Sequence, residues 1–217
     1  MVSSAAGKKI LLIGGGGHCH SVADAVLSLY DQVGIVEGDA VQQVPMGCME
    51  IPVIGKDSDL PRLFGEGWNE AFITVGSVGD TALRRRLFEM VTSLGYHIPA
   101  IIDSTAVIAR DVKVGDGVFV GKRAVLNSGS RVGRCAIINT GAIIEHDCSI
   151  GDFVHISPGT VLCGEVVVGE DTHVGAGSVV RQQLKIGRGV MVGMGSVVVK
   201  DIPDGVQAWG DPCRVVN

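Results

Sequence analysis

The chain has 217 residues and a formal charge of −5, with 46% hydrophobic side chains, 4% aromatic ones and 32 glycines. The aliphatic content excludes disorder, the glycine content falls far short of a collagen repeat, and the acidic balance offers no phosphate-tracking surface for a nucleic acid. No apolar run reaches the roughly 18 residues of a membrane span, and 34 valines and 18 isoleucines among so many glycines point to many short strands with tight corners.

Lys8-Lys9 precede Ile10-Leu11-Leu12-Ile13, an apolar run too short for a signal peptide, which predicts a strand over Lys9–Ile13. It leads into Gly14-Gly15-Gly16-Gly17-His18, a helical stretch over Ser21–Tyr30 and a strand over Val33–Val36. Farther on, a strand over Ala71–Val75 ends at Gly76 and precedes an amphipathic helix near Asp80–Leu94. This βαβ punctuation implies a parallel sheet in an α/β, Rossmann-like domain spanning residues 1–100. Glycines after a first strand let backbone N–H groups approach a phosphate at a helix N-terminus. The third glycine of the dinucleotide fingerprint is missing, because Cys19 stands three places after Gly16. Glu37 follows Gly17 by 20 residues, where a ribose-binding acid would stand. The domain's size holds half a dinucleotide fold, which favours a nucleotide handle over a dehydrogenase; a purely structural turn is the other reading of the glycines. His18-Cys19-His20 makes a poor tetrahedral metal set, since its members are adjacent in sequence. The cysteines at 19, 48, 135, 148, 163 and 213 have no CxxC spacing and read as reduced thiols of a cytoplasmic protein.

From Ile102 to Val198 the pattern changes. Every sixth residue is Val, Ile or Leu, seventeen times in succession. Glycine follows it directly in eight of these hexads, as at Gly115, Gly151 and Gly175. Four places after the aliphatic stand only small or aliphatic residues, such as Ala124, Ser130, Cys148 and Thr160. Each hexad therefore has two inward positions, one large and one small, with polar residues elsewhere. Neither a period-2 strand nor a 3.6-period helix repeats this way. The pattern resembles the hexapeptide repeat of left-handed parallel β-helices, whose coils contain three hexads each. That resemblance implies a prism of five to six coils over residues 101–200, followed by a tail, 201–217.

Three histidines fall in the repeat. His155 and His173 are 18 residues apart, one coil, and are expected to stack on one outer face; His146, nine residues before His155, faces another way. Transfer of an acyl group from a thioester to an amine or hydroxyl needs a base near neutral pKa. His146 beside Asp147 supplies such a pair, since a carboxylate raises imidazole basicity and fixes its tautomer. Glu145 is the weaker candidate for the acid.

The stretch Asn139-Thr140-Gly141, Ile144-Glu145-His146-Asp147-Cys148, Ile150-Gly151-Asp152 and His155-Ile156-x-Pro158-Gly159 resembles the active-site stretch of one family. That family is the hexapeptide-repeat sugar acetyltransferases of the sialic-acid O-acyltransferase type, including the bacterial nucleotide-4-amino-sugar N-acetyltransferases of bacillosamine and perosamine pathways. The likeness extends to the opening strand-Gly-Gly-His18 and the closing Gly210-Asp211-Pro212-Cys213-Arg214. It implies that His146 is the general base, with Asp147 increasing its basicity. It further implies that His155, Ala176 and Met194 bind acetyl-CoA. Gly16, Gly17, His18, Glu37, Gly38, Gly76 and Asn139 would contact a nucleotide-amino-sugar substrate. A homotrimer with active sites between subunits, serving glycan biosynthesis in the cytoplasm, is implied as well. Three positions depart from the family pattern: His18-Cys19-His20-Ser21 replaces Gly-His-Gly-Lys, Val36-Glu37-Gly38 replaces an ending in two aspartates, and Cys213 replaces an alanine. The first two leave the choice between uracil and guanine open.

The expected activity is acetyl-CoA-dependent N-acetylation of a nucleotide-linked 4-amino-4,6-dideoxy sugar, with no metal required. The alternatives are O-acetylation of a sialic-acid-like sugar, a zinc carbonic anhydrase on the same prism, and a non-catalytic trimeric scaffold. Histidine spacings of 9 and 18 do not supply the zinc set.

Overall fold

The structure, a computed structural model, describes residues 7–37, 43–46 and 49–216. The chain divides into two compact units, Met1–Gly76 with Leu83–Pro99, and Ser77–Ala82 with Ala100–Asn217.

The first unit is built on β1 (Lys9–Ile13), α1 (Gly17–Val26), β2 (Gln32–Val36), β3 (Gln43–Met46), β4 (Met49–Gly55), α2 (Leu60–Gly65), β5 (Glu70–Ile73) and α3 (Ala82–Ser93). The strands lie in the order β3-β4-β2-β1-β5. All neighbours are parallel except β3 and β4. β1 is an unbroken apolar run because it lies between two parallel partners, and Ile10 to Ile13 are buried. The helix expected over Ser21–Tyr30 instead starts at Gly17 and ends at Val26. The turn is completed within Gly14–Gly16, and the extended Gly16 caps the helix directly. Cys19, Val22, Ala23 and Val26 then form its buried stripe. β3, β4 and α2 had no strong signal in the sequence.

The second unit is a triangular prism, a left-handed parallel β-helix. Its described residues 101–198 carry seventeen two-residue strands, Ile101–Ile102 to Val197–Val198. One face has six strands, one has five, and the third has eight, including the closing hairpin Gln207–Gly210 and Cys213–Val215. Each strand pairs with the one 18 residues on, as Ile137 with His155 and His155 with His173.

From Val120 to Val198 every sixth-residue aliphatic is buried, and so is every second inward position from Val118 to Ser196. The first coil is the exception. Ile102 is 38% exposed and Ile108 and Val114 are half-buried, because that coil has a neighbour on one side only. The inward hydroxyls satisfy themselves on the backbone: Ser130 Oγ donates to Glu145 O at 2.8 Å, and Thr172 Oγ1 to Gly187 O at 2.7 Å. Glycine directly after the aliphatic has a steric cause. A Cβ on Gly175 would stand 2.5 Å from Met194 N of the next coil.

One expectation needs correction. The outward positions are not uniformly polar. On the six-stranded face they are Val107, Val125, Ile143, Val161, Val179 and Val197, with Val107 63% and Val179 39% exposed. On the five-stranded face the same column reads Lys113, Arg131, Ser149, Val167 and Lys185. Hexad counting averages the three faces together and hides the difference.

Candidate active site

The corner after Ile143–Ile144 carries Glu145-His146-Asp147, held between the inward Ile144 and Cys148. Asp147 sits at φ 58°, in the left-handed region, where aspartate and asparagine are tolerated better than most residues. This bend turns its carboxylate back to His146, and Nδ1 lies 2.9 Å from Asp147 Oδ2. An ionised carboxylate only accepts, so Nδ1 carries the proton and Nε2 presents a lone pair. The hydrogen bond to Asp147 raises the His146 pKa above 6.5, with the negative charges of Asp147, Glu145 and Glu165 adding to it. Both side chains are more than half exposed, so a substrate can reach them.

Two glycines flank the pair, and the sequence reading missed both. Gly164, in the next coil, lies against the imidazole: a Cβ there would stand 2.5 Å from Nε2 and 2.6 Å from Cε1. Gly129, in the preceding coil, lies against the carboxylate, and a Cβ there would overlap Asp147 Oδ1. Each is 18 residues from its partner, a spacing legible once the coil length is known.

A second cluster lies on the eight-stranded face. Asn139 Oδ1 accepts from Thr140 N at 2.8 Å, which orients the amide so that Nδ2 donates to His155 Nε2 at 3.2 Å. The other ring nitrogen, Nδ1, donates to Ser77 O at 2.9 Å. Both nitrogens of His155 are thus engaged, which leaves its ring edge and face for a co-substrate. His173 stacks on His155 edge to face, with centroids 4.8 Å apart, as the 18-residue spacing required. Burial lowers the His173 pKa below the usual imidazole value. Ala176 and Met194 occupy equivalent positions in successive coils, and Gly195 N donates to Ala176 O at 2.8 Å. Both are exposed, Met194 by 81%.

In the first unit, Gly14 takes φ 104°, and a Cβ there would meet Val75 Cγ2 at 2.7 Å. Gly15 N donates to Glu37 Oε2, and Gly14 O accepts from Thr74 Oγ1 at 2.5 Å, so the loop is pinned by neighbouring strands. A Cβ on Gly16 or Gly17 would meet nothing within 4 Å, which leaves the N-terminus of α1 open to an anionic group. Gly76 faces His18, whose Cβ is 3.5 Å from where a Gly76 Cβ would stand. A cavity of about 180 Å³ at the C-terminal edge of the sheet is lined by Gly14, Val36, Glu37, Asp57, Val75 and Arg86 among others. Asp57 and Arg86 are additions to the residues read from the sequence. Gly38 lies outside the described residues.

Among the described residues no group of His, Cys, Asp or Glu is arranged to hold a metal ion, and no helix is long and apolar enough to cross a membrane. The described cysteines, Cys19, Cys135, Cys148, Cys163 and Cys213, are free thiols, and burial pushes those of Cys19 and Cys148 up to about 11.

A stacked hexapeptide prism carrying an exposed His–Asp pair, joined to a glycine-loop α/β unit, defines a hexapeptide-repeat transferase. The bacterial transferase hexapeptide model (six repeats) matches residues 165–200, and the PglD N-terminal domain model matches residues 9–91. A histidine-to-asparagine variant of perosamine N-acetyltransferase from Caulobacter crescentus, solved with CoA and GDP-perosamine, is 35% identical. The match covers 98% of this chain and 100% of that one, with a TM-score of 0.90. The acetyltransferase domain of PglB from Neisseria gonorrhoeae, solved with acetyl coenzyme A, is also 35% identical, covering 97% and 100% of the two chains with a TM-score of 0.89. WeeI from Acinetobacter baumannii shares the fold at 24% identity, over 95% and 99% of the chains, with a TM-score of 0.76. A search of curated proteins found no match. The chain belongs to the hexapeptide-repeat sugar acetyltransferases, in the group that includes perosamine N-acetyltransferase and the PglB acetyltransferase domain. It is an acetyltransferase.

Proposed function

We propose that the protein transfers the acetyl group of acetyl-CoA to the 4-amino group of a nucleotide-linked 4-amino-4,6-dideoxy sugar. The observation that carries this reading is the His146–Asp147 pair, with Nε2 free as a base in a chain related throughout its length to an enzyme solved with CoA and GDP-perosamine. The amine attacks the thioester carbonyl carbon, forming the C–N bond, while Nε2 of His146 takes the amine proton. The tetrahedral intermediate collapses with cleavage of the C–S bond, and His146 returns that proton to the CoA thiolate. A thioester is already activated, so this route needs no covalent enzyme intermediate.

The open N-terminus of α1, at Gly16 and Gly17, receives the substrate diphosphate, with His18, Glu37, Gly38, Gly76 and Asn139 as further substrate contacts and His155, Ala176 and Met194 along the acetyl-CoA path. The exposed aliphatic column of the six-stranded face supports self-association, which in this family's architecture makes a homotrimer. Acetyl-CoA and nucleotide sugars are cytoplasmic metabolites, and we place the reaction in that compartment.

The test is a panel of UDP-, GDP- and dTDP-linked amino sugars assayed with acetyl-CoA by thiol release. Thiol release with a nucleotide-linked 4-amino sugar is the expected result. Release only with a hydroxyl acceptor of the sialic-acid type would overturn it in favour of O-acetylation.

Asp147→Asn tests the role of the carboxylate. Asparagine keeps the left-handed corner but removes the charge that holds the His146 pKa above 6.5. The base works only when neutral, so activity rises as pH climbs through its pKa. The acidic limb of kcat/KM is therefore expected to move to lower pH in the variant, with kcat down by about tenfold or more. An unmoved limb would show that Asp147 does not tune the base.

A further inference from the structure

The closing hairpin finishes the eight-stranded face with an exposed aromatic side chain in a chain poor in them. Its strand Gln207–Gly210 runs parallel to Met191–Val192, with Ala208 paired to Val192 and buried inward. The next residue, Trp209, turns outward and remains 46% exposed. It is seated on Gly193, where a Cβ would stand 2.7 Å from the Trp209 Cβ. Across the antiparallel turn its direct partner is Arg214, also exposed. Directly opposed residues share a face of the sheet, with Cβ atoms about 5 Å apart, so the indole and the guanidinium stand side by side. Met194, 81% exposed, is the residue after Gly193.

We propose that Trp209 and Arg214 form the seat for the adenine-nucleotide end of CoA, the indole stacking on the base and the guanidinium meeting a phosphate. This rests on acetyl-CoA being the co-substrate. Aromatic rings are sequence-tolerant platforms for bases, and arginine's planar fork matches phosphate oxygens. The spacing fits as well. The column His155, His173, Met191, Gln207 takes three strand steps, and His146 lies half a coil before His155. At about 4.8 Å per step, the hairpin lies roughly 17 Å along the prism from the catalytic histidine. A phosphopantetheine arm laid along the prism with its thioester at His146 delivers its adenine there.

The tryptophans are Trp68 and Trp209. In a Trp68→Phe background, CoA is expected to quench the remaining emission and pantetheine is not. Trp209→Ala should raise KM for acetyl-CoA about tenfold, the size expected for removing one aromatic platform from under a base. It should leave KM for acetyl-pantetheine unchanged, and Trp209→Tyr should restore most of the loss. Arg214→Ala should show the same donor dependence. An unchanged KM, an equal rise for both donors, or a rise confined to the nucleotide sugar would each overturn the assignment. Quenching by CoA without turnover would uphold this seat and count against the proposed reaction. Turnover with an unaffected KM in Trp209→Ala would do the reverse.

Discussion

His146→Ala is expected to lower kcat by about 10²- to 10⁴-fold, the usual contribution of a positioned general base. The ring is exposed and forms none of the inward columns, so the variant should fold, keep its oligomeric state and bind acetyl-CoA with little change. Turnover should recover partially as the amine acceptor becomes deprotonated at high pH, because the nucleophile then needs no base. Near-wild-type turnover in a folded variant would remove His146 from the mechanism and with it the reading of the corner as a catalytic site.

Gly164→Ala is the second large effect expected, and it touches no reacting group. Gly164 does not have a positive φ, so the backbone there tolerates a side chain. The added methyl would instead occupy space 2.5 Å from His146 Nε2. The imidazole must move by an ångström or so, and displacements of that size at a reacting centre cost about 10² in rate. We expect kcat to fall about a hundredfold while KM for acetyl-CoA and thermal stability stay near wild type. A fall in stability with kcat preserved would mean that the coil yields rather than the ring. The two variants together separate loss of the base from loss of its position.

Much of this was legible in the residues because the hexad is a direct record of burial. A side chain that faces the prism axis has one size slot, and Ile144 or Val174 fills it wherever it falls. The His146–Asp147 pair was legible because the two are adjacent in sequence. What the hexad could not disclose is anything that repeats once per coil. Gly129 under Asp147, Gly164 over His146 and the aliphatic column from Val107 to Val197 all obey an 18-residue period, which emerges only when three hexads are folded into one turn. In the first unit the boundaries of α1 were misjudged because four glycines carry no periodicity. Glycine permits a turn without specifying where it ends, and hydrogen bonds from distant Thr74 and Glu37 decide it. Arg86 and Trp209 were illegible for the same reason: their neighbours lie far away in the chain or across a hairpin.

The half-exposed first coil has a consequence for where catalysis can live. A stack of coils behaves as a one-dimensional chain of units, each steadied by its two neighbours, and such a chain frays from its ends. Ile102, Ile108 and Val114 belong to the fraying turn. The corner bearing His146 is one full coil and more inside that end, with completed coils on both sides. Local opening that releases the terminus many times over can therefore leave the histidine, its carboxylate and their two glycine neighbours in register throughout.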